Sequence, residues 1–192
     1  MIRIDNLRDA LKYIGYQKQY SPNAEVWSIN NRGYTISIDF TNKRINYPVE
    51  LKAYRETTKN FSSPENFVVL ECITRLLSLG YTPKQIELEK PMPGGHADTG
   101  GYCDILIKDN EGNEFILIEC KTADDNSSRE FSKAWHRMQE DGGQLFNYFN
   151  SYRKAKALCL YTSDWQNDAC EYDCRIVSME DNEEYLRADS SL

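Results

Sequence analysis

Residues Gly101 to Thr122, GYCDILIKDNEGNEFILIECKT, constrain the fold more than any other stretch. Two apolar runs, Asp104 to Lys108 and Glu114 to Thr122, flank Asn110-Glu111-Gly112-Asn113, a turn whose residues accept positive φ. That is the pattern of a β-hairpin. Both runs are continuous in Ile, Leu, Phe and Cys, so both faces are expected to be covered by other layers. Three charges break the pattern: Asp104 opens the first strand, and Glu119 and Lys121 close the second. Spaced by two, Glu119 and Lys121 share a face while Cys120 takes the other. Carboxylates and lysines are seldom buried without an ion partner or a metal, so these three are the first candidates for a site.

The elements around the hairpin follow from spacing and punctuation. Leu7, Leu11 and Ile14 have helical spacing before Gly15. Trp27 to Asn30 and Tyr34 to Phe40 read as strands around Asn31-Arg32-Gly33, with Ile45 to Val49 as an edge strand limited by Pro48. Tyr54 to Ser63 reads as a polar linker. Ser62-Ser63-Pro64-Glu65 starts a helix that runs to Gly80, and Ile86 to Lys90 is a strand. After the hairpin, Asn126 to Glu140 is expected to be helical, burying Phe131, Ala134, Trp135 and Met138. Gly142-Gly143 separates it from a further helix over residues 144–152. Ala157 to Thr162 is a buried strand and Cys174 to Met179 an edge strand. This order implies an α/β sandwich with a mixed sheet.

Composition narrows the class. The chain has 192 residues, 40% hydrophobic, and no apolar run of membrane-spanning length or signal-peptide character, so a cytoplasmic protein is expected. Six cysteines fit a reducing compartment, and two histidines, His96 and His136, lie at no zinc spacing. The net charge of −7 is uneven: residues 1–60 carry 10 Lys and Arg against 6 Asp and Glu, and the excess of acid lies beyond them. A chain so charged is a poor isolated DNA binder. The acidic run Glu180 to Glu184 reads as a solvated tail or subunit contact.

An Asp and a Glu at the ends of adjacent strands can share one hard divalent cation, Mg²⁺ or Mn²⁺. A lysine on the same face can orient or help deprotonate a water, or stabilise charge on a phosphate. Asp104, Glu119 and Lys121 thus suffice for metal-assisted phosphodiester hydrolysis. The alternative is a strand-end Asp beside an ordinary Glu–Lys ion pair.

DILIKDNEGNEFILIECKT resembles the D…(D/E)-x-K core of the PD-(D/E)xK nuclease superfamily. The wider run PENFVVLECITRLLSLGYTPKQIELEKPM, then GGYCDILI, then LIECKT, resembles the N-terminal nuclease domain of type I restriction enzyme R subunits, over about residues 61–165. Gln144-Leu145-Phe146-Asn147-Tyr148 matches that branch's Q-x-x-x-Y element.

The resemblance implies a restriction-endonuclease-like sandwich, with a central mixed β-sheet flanked by helices and a small α/β subdomain before it. Residues 1–60 would be that subdomain, 61–165 the nuclease core and 166–192 an acidic extension. It also implies a Mg²⁺-dependent DNA endonuclease of a restriction system, with Asp104, Glu119 and the Cys120 carbonyl on the metal and Lys121 acting on the water. Gln144 and Tyr148, one turn apart, would support the catalytic groups or the DNA. The family's helix carboxylate falls on Glu65 or on Glu71, with Glu65 fitting best and Glu71 also readable as an exposed partner of Arg75. The basic residue often found just before the motif Asp is missing, and Gly101-Tyr102-Cys103 stand there. No Walker A pattern occurs, so the chain is expected to be an N-terminal part of a larger R subunit or nuclease–methyltransferase protein, or a standalone relative. Expected partners are double-stranded DNA and methyltransferase and specificity subunits or domains, with no membrane. A non-catalytic nuclease-fold module for DNA sensing or subunit docking is the rival reading.

Overall fold

The chain begins with α1 (Leu7–Ile14), which Gly15 ends in the left-handed conformation by donating its N–H to the carbonyls of Leu11 and Lys12. Then come β1 (Gln17–Gln19), β2 (Val26–Asn31), β3 (Tyr34–Asp39) and β4 (Arg44–Asn46), an antiparallel sheet in that order. The computed structural model describes residues 1–92, 101–141, 152, 154–178 and 180–181.

A six-stranded mixed sheet forms the centre. Its order is β10-β9-β8-β7-β6-β5, from β5 (Lys52–Ala53), β6 (Ile86–Pro91), β7 (Tyr102–Lys108), β8 (Glu114–Cys120), β9 (Ala157–Gln166) and β10 (Ala169–Ser178). β5 and β6 run parallel, as do β8 and β9, while the other neighbours are antiparallel. The β7–β8 turn is built by Asp109, whose carboxylate accepts the N–H groups of Glu111 and Asn113, both at 2.9 Å, while Gly112 supplies φ +87°.

Each face of this sheet carries its own layer. Ile105, Ile107 and Ile118 pack with α2 (Glu65–Leu79) in one cluster, whereas Leu106, Leu117, Leu158 and Leu160 pack with Phe131 of α3 (Glu130–Asp141) in the other. This α/β sandwich is the two-sided burial that the unbroken apolar runs imply. Residues 1–60 share the first cluster through Leu7, Leu11, Ile36, Ile38 and Ile45, and lend β5 to the central sheet. β10, inside residues 166–192, pairs with β9 along its whole length.

Several boundaries differ from the expectations, each for a local reason. α3 starts at Glu130, not Asn126, because Asp125 accepts the N–H groups of Ser127 and Ser128 and Asp124 those of Phe131 and Ser132. The stretch expected as a linker contains a 3₁₀ turn at Thr57–Lys59, fixed by Asn66, whose side-chain amide donates to the carbonyls of Thr57 and Asn60. β9 and β10 are both longer than expected, since each completes the other's ladder. No helix among the described residues is long and apolar enough to cross a membrane.

Candidate functional site

The β7–β8 ladder pairs Ile105 with Ile118, so one step further Asp104 stands across from Glu119. There the backbone pairing gives way to a side chain: Asp104 Oδ2 accepts the Cys120 N–H at 2.8 Å. Glu119, 3% exposed, receives Lys121 Nζ on Oε1 at 2.6 Å. Lys121 is anchored by donating its backbone N–H to the Tyr161 carbonyl of β9 at 2.9 Å.

The same ammonium lies 3.5 Å from Oε2 of Glu65, in the first turn of α2. Ser63 Oγ accepts the Glu65 N–H at 3.2 Å, so the cap at this helix start also fixes where Glu65 stands. Three acids from three elements therefore face one lysine.

Electrostatics follow from that crowding. The Asp104 carboxyl is withdrawn from water although the residue as a whole is half-buried, and this burial, reinforced by Glu119 and only partly offset by Lys121, raises its pKa well above the usual carboxylate range. Burial opposes the charge on Lys121, but Glu119, then Asp104 and Glu65, outweigh it and hold the ammonium above its ordinary value. Lys121 is thus a firmly protonated donor in the cation-free site. Formally the four groups sum to −2, the charge one divalent cation neutralises.

Among the described residues no group of three or more His, Cys, Asp or Glu side chains is gathered closely enough to hold a metal. The available donor set is instead two carboxylates and backbone oxygen. Asp104, Glu119 and the Cys120 carbonyl are hard donors at one strand end, and the excess negative charge fits a Mg²⁺-like ion. The Cys120 thiol turns away, toward Cys72 in the core under α2.

Glu71 is elsewhere, and it is buried rather than exposed. Arg75 Nη2 lies 2.5 Å from its Oε1, and the Tyr161 hydroxyl donates to Oε2. Arg75 also sits 3.7 Å from the centroid of the Tyr172 ring, which stacks on Tyr161. The helical i,i+4 spacing signalled the Glu71–Arg75 pair, but nothing local signalled Tyr161 and Tyr172, which arrive from β9 and β10. Gln144, Tyr148 and His96 lie outside the described residues. No protein-family model matches the chain, and no curated protein matches it.

Proposed function

We propose that this chain is a metal-dependent DNA endonuclease domain of a restriction system, hydrolysing phosphodiester bonds at the strand ends of β7 and β8. The observation that carries the reading is the convergence of Asp104, Glu119, Glu65 and Lys121 at one place. Asp104 and Glu119, with the Cys120 carbonyl, would hold Mg²⁺ or Mn²⁺. Such an ion, when bound, lowers the pKa of water and offsets charge on the scissile phosphate.

The residues themselves supply the rest. Lys121, kept protonated by three acids, donates to the phosphate oxygen on which negative charge grows. Glu65 holds the Lys121 ammonium from the helix side, a second anchor that would keep it in place if Glu119 ligated a cation. Asp104, one oxygen of which is held by the Cys120 N–H, would offer its other oxygen to the cation. In this reading Gln144 and Tyr148 support the catalytic groups, and methyltransferase and specificity subunits bring the DNA to an acidic chain.

The test is cleavage of supercoiled and linear DNA with Mg²⁺ or Mn²⁺ against EDTA. The reading expects nicking and cutting by the wild type only with the cation, abolished in D104A and reduced about 10²-fold or more in K121A. No cleavage by the folded wild type with either cation, or equal cleavage by wild type and D104A, refutes it.

A further inference from the structure

A chain of net charge −7 repels a nucleic-acid backbone, and a divalent cation that only neutralises the site leaves no positive charge over, so a local cation must meet the phosphates beside it. The cations of the neighbouring segment are mostly committed. Arg44 and Lys59 bind Glu56, and Lys90 and Lys108 bind the buried Glu87. Lys52 rests on the Tyr54 ring at 4.2 Å.

Arg55 differs. It is exposed, and among the described residues it makes no ion pair or hydrogen bond. Its guanidinium carbon lies 4.5 Å from the centroid of Tyr102, two residues before Asp104 on β7, hence within about 7 Å of it along the backbone. The ring contact fixes the guanidinium without consuming its N–H donors.

The backbone around Arg55 is pinned on both sides. Tyr54 donates its N–H to the Leu88 carbonyl at 3.0 Å and its hydroxyl to Glu87 at 3.0 Å. Thr57 Oγ1 donates to Glu89 at 3.2 Å, and its carbonyl accepts from Asn66, the residue after Glu65, at 2.8 Å. The Arg55 backbone is therefore tied to β6 through Tyr54 and Thr57 and to the first turn of α2 through Asn66, while its guanidinium stands over Tyr102 of β7.

We propose that Arg55, held over Tyr102, is a phosphate-binding residue that clamps the DNA backbone beside the scissile phosphate. A planar guanidinium with free donors matches a phosphate in bidentate fashion, and a prior contact with an aromatic ring lowers the ordering cost of that match. This rests on the nuclease reading and adds to it the element that grips the strand. Arg55 shapes substrate binding, while Lys121 acts at the reacting group.

The experiment is fluorescence anisotropy of a labelled duplex between 50 and 200 mM NaCl in EDTA, beside cleavage kinetics in Mg²⁺. Loss of one phosphate contact makes the slope of log K against log salt shallower by about 0.9 and weakens binding about tenfold at 50 mM salt. R55A should show both, with a raised KM and an unchanged kcat. R55K should recover the slope, since it keeps the charge, but only part of the affinity. Circular dichroism and melting control for folding, which substitution of an exposed side chain leaves intact. Wild-type slope and affinity in R55A overturn the clamp while an active wild type leaves the nuclease reading standing. A wild type that neither binds nor cleaves DNA overturns both.

Discussion

Replacing Lys121 by Met removes the one ammonium that, among the described residues, faces Glu65, Asp104 and Glu119, and takes the formal local charge from −2 to −3. Glu119 is 3% exposed and the lysine side chain 20%, so the pair is buried at the carboxylate end and partly open at the other. Breaking a fully buried ion pair costs about 3–5 kcal/mol, and partial access of the lysine to water places this case near 3. For a chain of this size each kcal/mol moves Tm by about 2–4 °C, so K121M should melt roughly 6–12 °C lower in EDTA. A divalent cation supplies the missing charge where it is needed. At one hundred times its Kd, Mg²⁺ adds about 2.7 kcal/mol, returning most of the loss, and the shift should exceed that of the wild type. Differential scanning calorimetry in EDTA and in Mg²⁺ reads both effects. Equal Tm for K121M and wild type in EDTA, or the same Mg²⁺ shift in K121M and K121M/D104N, refutes the reasoning.

Other substitutions separate site from scaffold. R75A leaves Glu71 buried without its guanidinium and should cost about 3–5 kcal/mol of stability, whereas E65Q should change stability by under about 1 kcal/mol yet slow cleavage; denaturant melts and cleavage rates check the pair. Because the folded value of Asp104 is raised, the native protein holds that proton more tightly than the unfolded chain. Its favourable contribution is complete below the unfolded value of about 3.9 and fades as pH climbs toward the folded value. D104N should therefore raise Tm in EDTA at pH 8 while abolishing cleavage. Glu87 has the opposite sign: although burial opposes its ionisation, Lys108, Lys90 and Tyr54 hold its pKa at about 2, so its contribution is present above about pH 4.3 and lost as pH falls toward 2, a loss absent from E87Q in acid melts. I105A, cutting a fully buried side chain between β7 and α2, should cost about 2–5 kcal/mol.

The hairpin and α2 were legible because each is specified locally. Asp109 and Gly112 build the turn, Ser63 and Gly80 bound the helix, and the apolar runs mark two-sided burial. The convergence of Asp104, Glu119 and Lys121 followed from strand register and the two-residue repeat. What escaped was made by distant pairing. β1 and β5 have three and two residues, too few to carry a period, and exist because β2 and β6 offer them an edge. Glu71 reads as a surface partner of Arg75 until Tyr161 and Tyr172 close over it from strands ninety or so residues away. Arg55 looked like one more polar residue of a linker, and its place over Tyr102 depends on Tyr54 and Thr57 being tied to β6.

The central claim, that Asp104 and Glu119 form a divalent-cation centre and not an incidental ion pair, is tested most directly by titrating Mn²⁺ into the protein and following the free ion by electron paramagnetic resonance. The wild type should withdraw one equivalent of Mn²⁺ from the free signal, Mg²⁺ should release it, and D104N and E119Q should leave the signal as in buffer. A wild type that withdraws none, or a D104N protein that withdraws as much as the wild type, contradicts the account.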